Sequence, residues 1–409
     1  MSLIPFSALT KNAPSYDEVV AEARAREERA KRWSHLRPNS VTFYLENGCN
    51  LRCQHCYETE DSHPKDDHLS VADYERIFDE LVEMQVLYLH FTGGEIFLNR
   101  DAMDIFQAAK KRRFSMTIFT SGTLLNEKKA DALAEIRPQT VEISLYSHDP
   151  DVHDAFTQIP GSHAKSVRAL RLLAERGITT VVKANLMTFN ADHIDELIAL
   201  AGELGADFQF DPTVKPRMNG NRDPLRFALS PDEIRRKVLN RPDLFAAFQT
   251  NSPADYCHGE ASLLAKDAVM CGAARGVLSI GADGGVYACG FFPTDGGSLK
   301  THSLKDVYYG SAQFDSIRQT TFDKMTACQS CDVKSTCKPC MAYGQVEHDD
   351  HRGCATASRT LASAVALQAE KQLKNNEKMN RGRELPLMNA TDFERAPLPN
   401  GRPRLYTEP

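Results

Sequence analysis

Residues 49–57 read Cys49-Asn50-Leu51-Arg52-Cys53-Gln54-His55-Cys56-Tyr57. Three thiols so close together wrap a single centre. A structural zinc site takes four ligands, usually as two Cys-x-x-Cys knuckles, yet after Cys56 the next cysteine is Cys257. A four-iron cluster behaves differently, because three thiolates leave one iron open to a ligand from outside the protein. The chain has 11 cysteines, with three at 49–56, none at 57–256 and eight at 257–354. In a reducing compartment that count reads as metal ligation rather than disulfides. Eight cysteines complete two four-thiolate sites, and three leave one site open.

Immediately before the triplet, Val41-Thr42-Phe43-Tyr44-Leu45 reads as a strand, so the thiols follow a strand end. Further strands are expected at 86–91, 115–119, 140–146, 179–187 and 207–210. Amphipathic helices lie between them. One carries Tyr74, Ile77, Phe78, Leu81 and Val82 behind a Ser70-x-x-Asp73 start; another runs over 163–176 and stops at Gly177. A third aligns Ile194, Leu197, Ile198 and Ala201. Alternating strands and helices imply an α/β fold, a partial (β/α)6 barrel over 40–230 with reactive groups at the strands' C-terminal ends. Residues 1–39 form a helical extension, opened by the capping box Ser15-x-x-Glu18 and charged as far as Trp33. Residues 231–256 read as a linker with a short helix near 231–238. A cysteine-rich domain follows over 257–375, its core stapled by metal and its end a helix near 356–374. The last segment, 376–409, holds five prolines (386, 397, 399, 403, 409) and reads as an extended or disordered tail.

In the cysteine-rich part, Cys271 and Cys289 bracket a β-hairpin turning over 281–285. Cys328-x2-Cys331-x5-Cys337-x2-Cys340 and finally Cys354 follow. On spacing alone, the pairs 328/331 and 337/340 also read as the knuckles of a zinc ribbon.

The triplet resembles the Cys-x3-Cys-x-aromatic-Cys signature of the radical S-adenosylmethionine superfamily, with His55 at the aromatic position. The second signature of that family is matched by Gly93-Gly94-Glu95 after the strand ending at Phe91-Thr92. Thr120-Ser121-Gly122, Ile143-Ser144-Leu145, His153-Asp154 and Gly161-Ser162 follow the family's course. The resemblance implies a [4Fe-4S] cluster on Cys49, Cys53 and Cys56 with S-adenosylmethionine on its open iron. Glu95 would take the methionine ammonium, His55 would lie near the adenine, and Ser144 near the ribose or methionine moiety. Tyr57, Gly93, Gly94 and Ser121 would complete the binding site. The later order Cys-x12-Gly-x4-Cys, four clustered cysteines, then a distant one resembles the SPASM auxiliary-cluster domain. It implies one [4Fe-4S] cluster on Cys271, Cys289, Cys340 and Cys257, and another on Cys328, Cys331, Cys337 and Cys354, three clusters in all. Relatives usually place three residues between the last two clustered cysteines; here there are two, Lys338 and Pro339. Cys257 is the least constrained ligand, with a free thiol or an iron open to substrate as alternatives.

Enzymes of this kind reductively cleave S-adenosylmethionine to a 5′-deoxyadenosyl radical that abstracts a substrate hydrogen. The full cysteine set resembles maturases of ribosomal peptides, whose products include cross-links, thioethers, epimers and decarboxylated residues. The auxiliary clusters would take the leftover electron or shape the pocket, and a ferredoxin or flavodoxin would supply the first one. The 39 residues before the first strand leave no room for a fused winged-helix domain, so leader binding would fall to a separate protein or another surface. A sulfatase-maturase-like dehydrogenase is an alternative, but Gly290 stands where that subgroup commonly has an acid after the cysteine. A radical enzyme acting on a small molecule is another. A non-catalytic iron–sulfur or zinc scaffold gives no reason for Gly93-Gly94-Glu95 beside three thiols. A net charge of −6 and a pI near 6.1 exert no pull toward nucleic acid or anionic membrane. With no apolar run of about 18 residues and no signal-peptide core, a cytoplasmic location is expected. No general acid or base stands out; His258, Asp283, Tyr343 and His351 read as structural or surface residues.

Overall fold

The computed structural model describes residues 16–59, 68–245 and 265–380. Cys257, His258, Ser15 and the segment beyond 380 lie outside the described residues. Helix α1 (Tyr16–Trp33) precedes six strands: β1 (Ser40–Tyr44), β2 (Tyr88–Thr92), β3 (Ser115–Thr120), β4 (Thr140–Ser144), β5 (Thr180–Asn185) and β6 (Asp207–Asp211). Helices α2 (Val71–Glu83), α3 (Ala102–Lys111), α4 (Glu127–Ile136), α5 (Pro150–Thr157), α6 (Ser162–Ala174) and α7 (Ile194–Glu203) fall between them. The six strands pair in parallel in chain order, as successive strand–helix units must when each crossover packs on the same face.

Alternation gives the sheet two unlike faces. Val41, Phe43, Leu89, Phe91, Ile118, Val141, Ile143, Val182 and Phe208 are buried on the helix side. The other face carries Thr42, His90, Phe119, Glu142, Ser144, Lys183 and Asn185. Here Lys183 Nζ lies 2.7 Å from the buried Glu142 carboxylate and 4.7 Å from the Phe119 ring centroid. A face this polar lines the interior of an open, partial barrel rather than a core. Helix starts follow the capping expected: Ser70 accepts from the Asp73 backbone while Asp73 returns a bond to Ser70.

The expected hairpin is present, but it belongs to the barrel's own sheet. Strand β7 (Val277–Ile280) pairs in parallel with the free edge of β1, from Ser40↔Val277 to Phe43↔Ile280. Strands β8 (Gly285–Tyr287) and β9 (Asp295–Ser298) add antiparallel, giving the order β6-β5-β4-β3-β2-β1-β7-β8-β9. Gly284, at φ +85, makes the tight turn between β7 and β8. One apolar core therefore runs from Val41 to Ala364 without a break between the two cysteine-bearing parts.

Helices α8 (Pro231–Ile234), α9 (Leu304–Gly310), α10 (Ala312–Arg318), α11 (Thr326–Gln329), α12 (Met341–His348) and α13 (Thr356–Asn380) complete the described chain. The short helix expected near 231–238 is α8 continued by a π turn over Arg235–Leu239, packed on α13. The last helix passes the boundary drawn at 375 and reaches Asn380. Helix α1 docks on α9 and α10. Trp33 Nε1 donates to Asp315 at 2.7 Å, and Arg29 Nε donates to the Gly310 carbonyl at 2.7 Å.

Beneath that contact the Arg318 guanidinium is 1% exposed and lies 4.4 Å from Tyr308, 5.7 Å from Trp33 and 5.8 Å from Phe314. Burial pushes it down to about 10. Arg318→Ala removes both the cation from its aromatic box and the side-chain bulk. We expect a loss of about 2–3 kcal/mol, read as a lower urea midpoint, with Arg318→Met recovering part of it. An unchanged midpoint would mean that the box contributes nothing.

Candidate functional site

The C-terminal ends of β1, β2 and β3 are tied to one another through the backbone. Glu46, just past β1, accepts from the amides of Asn47 and Gly48 at 3.0 and 2.9 Å and so shapes the approach to Cys49. The amides of Gly94 and Glu95 donate to the carbonyls of Glu46 and Gly48, both at 2.8 Å. Gly93 sits at φ +153, and a Cβ there would lie 2.3 Å from the Glu46 carbonyl oxygen. A Cβ on Gly94 would lie 2.2 Å from the Gly48 oxygen. Both glycines are thus demanded by the contact itself.

Glu95 is fully buried and caps the turn Ile96–Leu98. Its carboxylate accepts from Phe97 N at 3.2 Å, Thr120 Oγ at 2.7 Å, Ser121 N at 2.8 Å and Ser121 Oγ at 2.5 Å. Those four bonds fill the carboxylate's lone-pair directions. Ser121 Oγ also lies 2.8 Å from Thr123 Oγ, and Thr123 in turn accepts from Asn50 Nδ2 at 2.9 Å. Ser144, at the end of β4, lies beside Tyr146. The His55 ring packs 4.9 Å from Tyr146 and 5.1 Å from Phe156. Burial pushes His55 down to about 4, so the ring is neutral at pH 7. Tyr57 faces the other way, with its ring 5.1 Å from Phe291 and its hydroxyl 3.4 Å from that of Tyr44.

The residues around Cys49, Cys53 and Cys56 fit a metal cluster with a ligand beside it. As thiols, Cys49 and Cys53 are pushed up to about 11 and about 12, chiefly by burial. Three neighbouring thiolates there need a cationic centre to hold them deprotonated. Asn47 Nδ2, Asn50 Oδ1 and His55 Nδ1 are buried polar atoms without partners among the described residues, and all three border the triplet.

The C-terminal cysteines divide in space. Cys328, Cys331, Cys337 and Cys354 line one hollow with Met270, Phe322 and Arg359. Burial, then Cys328 and Cys354, push the Cys337 thiol up to about 12. Cys340 does not line that hollow, although it is only three positions from Cys337. It turns toward Tyr343, which also feels Cys289. The 328/331 and 337/340 pairs therefore do not close as two knuckles on one zinc. Among the described residues, no three Cys, His, Asp or Glu side chains close on a single ion position. None of the ten described cysteines is disulfide-bonded.

Between Glu58–Thr59, just after the first triplet, and the hairpin bearing Cys289 lies a cavity of about 230 Å³. Tyr44, Glu58, Met218, Ser279, Tyr287 and Phe292 line it. Burial pushes the Glu58 carboxyl up to about 7. Glu46, Glu58 and Ser279 escaped the sequence reading, and Thr120 entered it only within the motif Thr120-Ser121-Gly122. A polar residue on the strand face opposite the helices was the available signal for Ser279, and Glu46 could have been noticed beside Asn47-Gly48.

The Radical SAM superfamily profile matches residues 44–204, and an iron–sulfur cluster-binding domain, SPASM, matches 271–332. Among curated relatives, the mycofactocin maturase MftC of Mycolicibacterium smegmatis is 30% identical over 316 residues, 75% of this chain and 78% of that protein. The antilisterial bacteriocin subtilosin biosynthesis protein AlbA of Bacillus subtilis is 27% identical over 275 residues, 67% of this chain but 58% of AlbA. The crystal structure of Streptococcus suis SuiB bound to precursor peptide SuiA superposes with a TM-score of 0.63 at 17% identity, covering 86% of this chain and 85% of that one. At that identity the likeness concerns the fold.

Gly94→Ala forces a methyl group against the Gly48 carbonyl, one residue before Cys49. After anaerobic reconstitution this variant should hold about four fewer irons per chain than the wild type. A full iron complement would show that the turn can yield without losing the first cluster.

Proposed function

Because the chain belongs to the radical S-adenosylmethionine superfamily, in the group with a SPASM iron–sulfur domain, we propose that it matures a ribosomally made peptide. The observation that carries this reading is the cavity lined by Glu58 and Thr59, which follow the cysteine triplet in the chain, and by the hairpin bearing Cys289. MftC is named a maturase and SuiB was crystallised with a precursor peptide, and both names accord with a peptide substrate. The reading includes three [4Fe-4S] clusters: one on Cys49, Cys53 and Cys56, one on Cys328, Cys331, Cys337 and Cys354, and one on Cys271, Cys289 and Cys340. Cys257 is the fourth candidate for the last.

When bound, the reduced first cluster supplies the electron that splits S-adenosylmethionine into methionine and a hydrogen-abstracting 5′-deoxyadenosyl radical. The chain's own residues orient that cofactor. Gly93 and Gly94 keep side chains out of the contact beside Cys49. Glu95 would offer its carboxylate to the methionine ammonium, exchanging for it the Ser121 hydroxyl, which has Thr123 as its other partner. His55, neutral and against Tyr146 and Phe156, offers an uncharged ring edge for the adenine. Ser144 serves the ribose or methionine moiety. Tyr57 serves through packing that steadies the loop after Cys56, its ring being turned to Phe291.

A low-potential ferredoxin or flavodoxin as electron donor, a separate leader-binding protein and a cytoplasmic setting belong to the same proposal. Among the described residues no helix is long and apolar enough to cross a membrane. The packing at Gly290 disfavours the sulfatase-maturase-like alternative. A Cβ there would lie 2.8 Å from the Tyr44 hydroxyl, so an acidic side chain would have to push Tyr44 aside.

Reconstituted anaerobically, the protein should bind about twelve irons, falling to about eight when Cys49, Cys53 and Cys56 become Ala. Dithionite and S-adenosylmethionine should yield 5′-deoxyadenosine from the wild type and none from the triple variant. The substrate class is read from deuterium. Peptides from source cells grown in D2O should label the 5′-deoxyadenosine. Labelling by the small-metabolite fraction alone would overturn the peptide assignment.

A further inference from the structure

We propose that the cavity between Glu58–Thr59 and the Cys289 hairpin takes a lysine or arginine side chain of the substrate peptide, with Glu58 reading its charge. This deepens the peptide reading above and rests on it.

The cavity, about 230 Å³, is sized for one long side chain rather than a folded segment. Its walls are the rings of Tyr44, Tyr287 and Phe292 with Met218 and Pro293. Such walls suit a methylene stem ending in a cation that lies over ring faces. The charge balance is one-sided. Glu58 is the one carboxylate among the described lining residues, and no described Lys, Arg or His lines the cavity.

Arg217 Nη1 donates to the Glu58 main-chain oxygen at 3.5 Å, and no described residue forms an ion pair with the Glu58 carboxylate. Nor does Tyr44 satisfy it, since that hydroxyl donates to the Gly290 carbonyl at 2.8 Å. Glu58, half-buried in the cavity wall, is thus the charged group that a cationic side chain entering the cavity would meet.

A second polar group points to the same ligand. Ser279 is 1% exposed, lines the cavity, and its Oγ has no partner among the described residues. An ammonium or guanidinium has donors to spare after meeting one carboxylate, and Ser279 Oγ accepts one of them. Cys289 on the same wall sets this side chain beside the auxiliary cysteine group.

The test uses the reconstituted full chain with S-adenosylmethionine and three fluorescent peptide pools. Each pool is randomised except for a central Lys, Gln or Glu, and binding is followed by anisotropy. The wild type should prefer the Lys pool over the Gln pool by about tenfold, the lower end of a charge-assisted hydrogen bond's contribution. Glu58→Gln should abolish that preference, and Glu58→Lys should reverse it toward the Glu pool, a gain that misfolding cannot mimic. Equal binding of all pools by the wild type, or a Lys preference that survives in Glu58→Gln, would overturn the inference while leaving the peptide reading intact. Binding of no pool would bring down both.

Discussion

The close approach of two strand exits, Glu46–Gly48 after β1 and Gly93–Glu95 after β2, holds the reactive end of this protein together. Two backbone hydrogen bonds of 2.8 Å join them, at a separation that leaves no space for a Cβ on either glycine. That contact fixes where Cys49 begins its turn. It also delivers Glu95 into a buried position, where Phe97 N and, at the end of β3, Thr120 and Ser121 donate to its carboxylate. Parallel pairing supplies the alignment: with β1, β2 and β3 in register, their C-terminal ends meet on one rim.

Strand β1 is also the hinge of the larger architecture. One edge pairs with β2 and the other with β7, so the hairpin carrying Cys289 grows from the same sheet as the first triplet. The rings of Tyr57, Phe291 and Tyr343 continue the connection at 5.1 and 5.5 Å, from the residue after Cys56 to the helix after Cys340. A shared sheet and core keep the cavity lined by Glu58 and Ser279 in a fixed place relative to both cysteine groups, the positioning that the proposed radical chemistry needs.

Strands and helices were legible because the barrel is built from strong local signals. Val41–Leu45, Ile143 and Val181–Val182 are apolar runs, and the Ser70 capping box marks a helix start. The cysteine triplet and Gly93-Gly94-Glu95 stood out because their residue types and spacing are unusual, and the structure shows the close backbone approach that the two glycines permit. The pairing of β7 with β1 was not, because Gly276–Ile280 carries the same short pattern whether its partner is β8 alone or β1 as well. The division of Cys337 from Cys340 was open on spacing, and their opposite directions come from the turn at Lys338-Pro339 and the start of α12. Glu58 and Ser279 are single polar residues in unremarkable surroundings. Their meaning lies in a cavity made by segments more than 200 positions apart, which no local pattern encodes. The ligand roles of the individual cysteines and of His55, Tyr57, Ser121 and Ser144 stand as proposals resting on this geometry.

The central claim is that Cys49, Cys53 and Cys56 hold a cluster whose open iron takes S-adenosylmethionine. The most direct measurement is the electron paramagnetic resonance spectrum of the dithionite-reduced protein with and without S-adenosylmethionine, in the wild type and in Cys49→Ala/Cys53→Ala/Cys56→Ala. The account predicts a change in the wild-type spectrum on adding S-adenosylmethionine and none in the variant. A wild-type spectrum indifferent to S-adenosylmethionine, or a change that persists without the three cysteines, would contradict it.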